Sequence, residues 1–208
     1  VSGASTDPGD YTVLGPKGTS TVAVNAGDSA KEFAAAMNAV TSTTGVTASA
    51  VTKVLLSTGS LATAAVSDTP AIADGTTVNS LKINGVTVLG GSTTASISST
   101  DFRDLRDKIN DKSAQTGVTA KMGATNTAII LTDADGDDIV LDAFDTSANG
   151  SMLAVQVLKA DETVAGATDG TDEAEATTNY GNAATLMDPG GAAANQDQVV
   201  ISGSTTLS

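Results

Sequence analysis

Along the chain, apolar and polar residues alternate in short runs that twice give way to a spacing of three and four. Thr21-Val22-Ala23-Val24 alternates as a half-buried strand does. Asp28 or Ser29 then offers a side-chain oxygen for a helix N-cap, with Glu32 in the first turn. From about Ser29 to Val40, residues Ala30, Phe33, Ala34, Met37 and Val40 share one helical face. Gly45 ends that pattern, and Val46 to Leu56 returns to strand character. The second passage is clearer. Ser99 or Thr100 is placed to cap a helix whose apolar face is Phe102, Leu105 and Ile109. Arg103, Asp104, Arg106, Asp107 and Lys108 fall mostly on its polar side, and Val118-Thr119-Ala120 starts a strand.

The two passages are copies of one pattern. Thr44-Gly45-Val46-Thr47-Ala48 recurs as Thr116-Gly117-Val118-Thr119-Ala120, and the same offset places Asn38 on Asn110, Met37 on Ile109 and Phe33 on Leu105. Around the second copy lie two hairpin signals. Leu81 to Val88 alternates about Asn84-Gly85, the strongest short hairpin dipeptide. Ala128 to Leu131 and Ile139 to Leu141 flank the cluster Thr132 to Asp138, which reads as a second hairpin. The expected fold is therefore α+β, with two mainly antiparallel β units, each carrying one short helix in a β-β-α-β-β order. Residues 1–69, completed by 161–208, are expected to form the first unit, and 70–160 the second, inserted one. Met152 to Leu158 and Gln198 to Ile201 read as strands, the latter suited to pair with Tyr11 to Leu14. Residues 57–77 read as a connector and 160–198 as an acidic, Gly/Ala-rich stretch.

Composition changes this picture in three ways. Only 2% of the residues are aromatic and Trp is absent, so the cores must be built from Ala, Val, Ile and Leu. Ser and Thr make up a quarter of the chain, which favours strands, turns and hydroxyl-rich surfaces. A net charge of -14 repels phosphate backbones and anionic lipid, which argues against nucleic-acid or membrane-surface binding. Cys and His are both absent, excluding disulfides, thiol nucleophiles, Ser-His-Asp catalysis and His-ligated zinc. No run of 18 apolar residues is present. The opening Val1-Ser2-Gly3 carries no signal-peptide pattern and reads as cut from something longer.

The succession of a capped short helix ending in Asn, then Thr-Gly-Val-Thr-Ala, then strand and Asp-Gly turn resembles the repeat of bacterial flagellin variable regions. Here it is carried by Phe102 to Leu105, Ile109-Asn110, Thr116 to Ala120 and Asp135 to Ile139, with Ile83-Asn84-Gly85 as the opening strand and turn. The first copy matches from Asp28 to Ala50 but lacks the Asp-Gly segment, and 160–198 has no counterpart. Similar segments occur in hook-associated and filament-cap proteins. The resemblance implies a structural, non-enzymatic outer domain of a flagellin, extracellular on the bacterial flagellum, that sets the filament surface and contacts neighbouring flagellin subunits. It also implies O-linked glycan on the Ser/Thr-rich surface. The alternative is a ligand- or glycan-binding module of a hook-associated, filament-cap or adhesin-like protein. No long heptad-bearing stretch begins or ends the chain, so these residues alone are not expected to assemble.

Few residues invite a chemical role. Asp133, Asp135, Asp137 and Asp138 suggest calcium, but the twelfth position of an EF-hand counted from Asp133 is Phe144. A looser calcium site and a solvated turn remain, and the turn is the favoured reading. Asp161-Glu162 and Asp172-Glu173 are carboxylate pairs in polar stretches with nothing nearby to perturb them. Asn149-Gly150-Ser151 fits the short N-glycosylation pattern. The His-Glu-x-x-His metalloprotease signature of some flagellins cannot occur without His. All three Phe are expected in the core, leaving too few aromatics for a dedicated lectin. No catalytic, cofactor-binding or metal-binding residue is therefore assigned.

Overall fold

The computed structural model describes residues 9–58, 76–96, 101–147, 152–163, 183–187 and 198–208. Five elements make the first passage: β1 (Gly9–Gly15), β2 (Gly18–Val24), α1 (Ala30–Ala39), α2 (Thr41–Thr44) and β3 (Ala48–Ser57). The second contains β4 (Thr77–Ile83), β5 (Val86–Leu89), β6 (Ala95–Ser96), α3 (Arg103–Asn110), α4 (Ser113–Thr116), β7 (Val118–Met122), β8 (Ala128–Asp133) and β9 (Ile139–Thr146). The remainder is β10 (Met152–Leu158), β11 (Ala183–Met187), β12 (Val199–Ile201) and β13 (Ser204–Leu207). Short helices among antiparallel sheets make the fold α+β, as expected.

β1 and β2 form a two-stranded sheet. A second sheet runs in the order β11-β10-β3-β8-β7, with β13 also paired to β3. A third runs β12-β9-β4-β5, with β6 on β4. The chain divides into two compact units. Unit 1 comprises residues 1–52, 133–138 and 201–208, and unit 2 comprises 53–132 and 139–200.

Unit 1 is built around Val13, Val22, Val24 and Met37, with Phe33, Val40 and Val46 packed partly exposed against them. Its helix begins as the sequence indicates. The Ser29 hydroxyl accepts from the Glu32 N–H, and the Glu32 carboxylate accepts from the Ser29 N–H at 2.8 Å, a complete capping box. Unit 2 buries larger groups. Phe102, Leu105 and Ile109 are all fully buried, as are Leu81, Ile83 and Phe144. Each such side chain contributes roughly 1.5–3 kcal/mol from area removed from water.

Four expectations need correction. First, the cap of α3 is neither Ser99 nor Thr100, which lie outside the described residues. Phe102 occupies the N-cap without a side-chain bond, and the Asp101 carboxylate accepts the Arg103 N–H at 2.9 Å instead. Second, β8 and β9 do not pair with each other; β8 lies between β3 and β7, and β9 between β12 and β4. The reason is in the turn between them. Buried Asp133 accepts the N–H groups of Asp135 and Gly136, and the Lys31 N–H donates to the Gly136 carbonyl. A Cβ on Gly136 would lie 2.4 Å from the Ala50 Cβ, and its φ of +83° suits glycine. The connection, residues 133–138, belongs to unit 1, whereas 128–132 and 139–146 belong to unit 2. Third, β12 borders β9, whereas β1 pairs with β2 from Gly9↔Val24 to Gly15↔Gly18. A two-residue turn closes that pair at far less loop entropy than a partner from the far end of the chain. Fourth, Phe33 is only partly buried, with its ring edge-on to Tyr11 at 6.4 Å.

The Asn84-Gly85 hairpin is present, with β4 and β5 joined at Ile83↔Val86. Both turn residues have positive φ, +51° and +76°, the type I′ signature.

Candidate functional site

The same hydrogen-bond frame is built twice. In the first copy, the Asn38 side chain donates to the Ala48 carbonyl and accepts from the Ala48 N–H, both at 2.8 Å. In the second, Asn110 makes the same pair of bonds to Ala120, again both at 2.8 Å. Each asparagine thus holds the last turn of its helix to the following strand as a neighbouring strand residue would.

Between helix and strand lies a single further turn, α2 or α4. The buried Thr44 hydroxyl donates to the Val40 carbonyl at 3.0 Å and accepts the Val46 N–H at 3.2 Å. The buried Thr116 hydroxyl donates to the Lys112 carbonyl at 3.2 Å and accepts the Val118 N–H at 3.1 Å. Gly45 and Gly117 follow in the left-handed region, with φ of 78° and 77°. That conformation carries little cost for glycine and sends the chain back along the helix. The preceding hairpin closes the frame. The Lys17 N–H donates to the Thr44 carbonyl at 3.1 Å, and the Asn84 side chain donates to the Thr116 carbonyl at 2.9 Å.

The carboxylates singled out in the sequence have other partners. The Lys31 ammonium lies 2.7 Å from Asp137 and 3.6 Å from Asp135, where a cation would be needed, and chiefly the Asp137 hydrogen bond raises its pKa. Asp133 is used by backbone N–H groups, and burial pushes the Asp138 carboxyl up against an opposing hydrogen bond from Ser202. Among the described residues, no group of three or more acidic side chains is arranged to hold a metal ion. Glu162 accepts from both Lys121, at 2.5 Å, and Lys53, at 3.0 Å, which hold its carboxyl below the usual range. Asp161 accepts the Thr163 hydroxyl and N–H and is lowered for that reason. These are ties between segments rather than an acid–base pair. Asp172-Glu173 and Asn149-Gly150-Ser151 lie outside the described residues.

The roles of Asn38, Asn110, Thr44 and Thr116 were not read from sequence. Their signal was there: they are polar residues recurring at one spacing in both copies.

Residues 12–67 match the family model for the flagellin hook IN motif. The match supports a flagellin-related protein. It begins in β1, takes in the whole first frame from Lys17 to Ala48, and spans a little over a quarter of the chain. A search of curated proteins found no match to the chain. A flagellin-type motif supports a structural component of the bacterial flagellar filament, an extracellular appendage, that assembles with other flagellin subunits.

Proposed function

We propose that this chain is the surface-exposed outer domain of a flagellin, carrying two flagellin-type repeats and setting the filament surface and contacts between subunits. The motif match at residues 12–67 carries the reading. The second frame supports the extension to two repeats, because Asn110, Thr116 and Gly117 repeat the bonds and conformation of Asn38, Thr44 and Gly45. An outer domain has a passive task. Sheets and short helices hold their own shape, and a net charge of -14 with a hydroxyl-rich surface keeps closely spaced copies from aggregating. The Ser/Thr-rich surface offers acceptors for O-linked glycan on the same reading.

Immunogold labelling with antibodies raised against residues 1–208 tests the proposal. Labelling along the whole filament is expected. Gold confined to the hook or the filament tip would assign the chain to a hook-associated or cap protein and overturn the outer-domain reading.

A further inference from the structure

Asn84-Gly85 joins a reactive sequence to a restraining fold. An asparagine followed by glycine can cyclise, because no side chain shields the glycine nitrogen. The Gly85 nitrogen attacks Asn84 Cγ and the Cγ–Nδ2 bond breaks. Ammonia leaves with the proton given up by the Gly85 nitrogen, and water then opens the succinimide to aspartate or isoaspartate. For the attack, the Asn84 side-chain amide must swing towards the Gly85 nitrogen.

The backbone N–H and both side-chain amide atoms of Asn84 are tied down. Its backbone N–H donates to the Val140 carbonyl at 2.9 Å. Its side-chain oxygen accepts the Val140 N–H at 2.8 Å, and its side-chain nitrogen donates to the Thr116 carbonyl at 2.9 Å. The two positive φ values of the turn are fixed by the Ile83↔Val86 pair beside it. Cyclisation would break both side-chain bonds and distort the turn together.

We propose that Asn84-Gly85 is a modification site gated by the fold, closed to succinimide formation while unit 2 is folded and opened when the β4–β5 hairpin detaches. The product then keeps the hairpin from reseating. An aspartate at this position still accepts the Val140 N–H but cannot donate to Thr116, so two oxygens face each other where a hydrogen bond stood. An isoaspartate adds a backbone atom inside a two-residue turn and displaces the register of β4 on β5. A transient unfolding event thus becomes a permanent chemical mark, whatever larger assembly the chain belongs to.

The test is peptide mapping by mass spectrometry after incubating the whole chain at mildly alkaline pH, in native buffer and in concentrated urea. Asn149-Gly150, the other Asn-Gly pair, supplies the intrinsic rate in urea. Asn84 should deamidate at least about tenfold more slowly in native buffer than in urea, in step with the local opening equilibrium. In Leu105→Asp, which disrupts unit 2, the native-buffer rate should rise towards the urea rate. Equal wild-type rates in the two conditions would overturn the gate. Asn84→Asp should melt below the wild type, and an unchanged melting temperature would overturn the claim that the product resists reseating.

Discussion

The two helix–turn–strand frames make the same hydrogen bonds around different fillings. In the first, α1 buries Ala30, Ala34 and Met37 and leaves Phe33 partly exposed beside Tyr11. In the second, Phe102, Leu105 and Ile109 are sealed from solvent. The Asn, Thr and Gly positions are the common part, because Thr serves a carbonyl at the helix end and Asn serves the backbone of the following strand, whatever the filling. Apolar positions need only be apolar and fit their own surroundings, so Met37 stands where the second frame has Ile109, and Phe33 where it has Leu105. The first frame depends more on local bonds, such as its capping box. The second depends more on burial.

That contrast is most sharply broken by charge in the apolar face. Leu105→Asp places an unpaired carboxylate in a fully buried position and should cost several kcal/mol, enough to unfold unit 2. Phe33→Asp, at the matching position of the first frame, should cost clearly less because its carboxylate can reach water. Urea titration of both variants, with hydrogen exchange to locate the loss, would show this ordering. Equal costs would mean that the two fillings contribute alike.

The frame itself comes next. Asn110→Ala leaves the Ala120 N–H and carbonyl without partners in a partly buried site, and should cost about 1–3 kcal/mol. Asn38→Ala does the same where the bonds are exposed, so water can substitute and the cost should fall to about 0.5–1 kcal/mol. Thermal melts of the two variants measure the difference. A smaller effect is expected from Ser29→Ala, which removes the capping box of α1 at about 1 kcal/mol or less and has no equivalent at Phe102.

The smallest effect is one of pH. The Asp101 carboxyl is lowered to about 2, first by its side-chain hydrogen bond with Arg103 and then by the Arg103 N–H. A lowered folded pKa means that the unfolded chain binds more protons. The stability Asp101 contributes is therefore present above its unfolded pKa of 3.8 and lost as pH falls towards about 2. In Asp101→Asn, the drop in urea midpoint between mildly acidic and strongly acidic buffer should be slightly smaller than in the wild type. An identical drop would show that this exposed pair is screened out.

Much of the local structure was legible because local chemistry fixes it. The Ser29 cap, the Leu105 and Ile109 face and the Asn84-Gly85 turn each depend on residues within a few positions of one another. Strand partners were less legible. An Asp-Gly cluster between apolar runs suits a hairpin, but its neighbours, Lys31 and Ala50, and the partners of β8 and β9 lie far away in sequence. The four-residue helices α2 and α4 were hidden for another reason. Thr41 to Thr44 is a poor helix former, and its turn is held by the Thr44 hydroxyl and by Gly45 rather than by propensity. The candidate site was visible as a repeated set of letters. What those letters bond to was not.

The outer-domain reading is tested most directly by electron microscopy of filaments from cells whose parent protein carries residues 1–208 intact or deleted. Thinner but intact filaments are predicted for the deletion. Loss of assembly would place these residues in the polymerising core or the cap and contradict the reading.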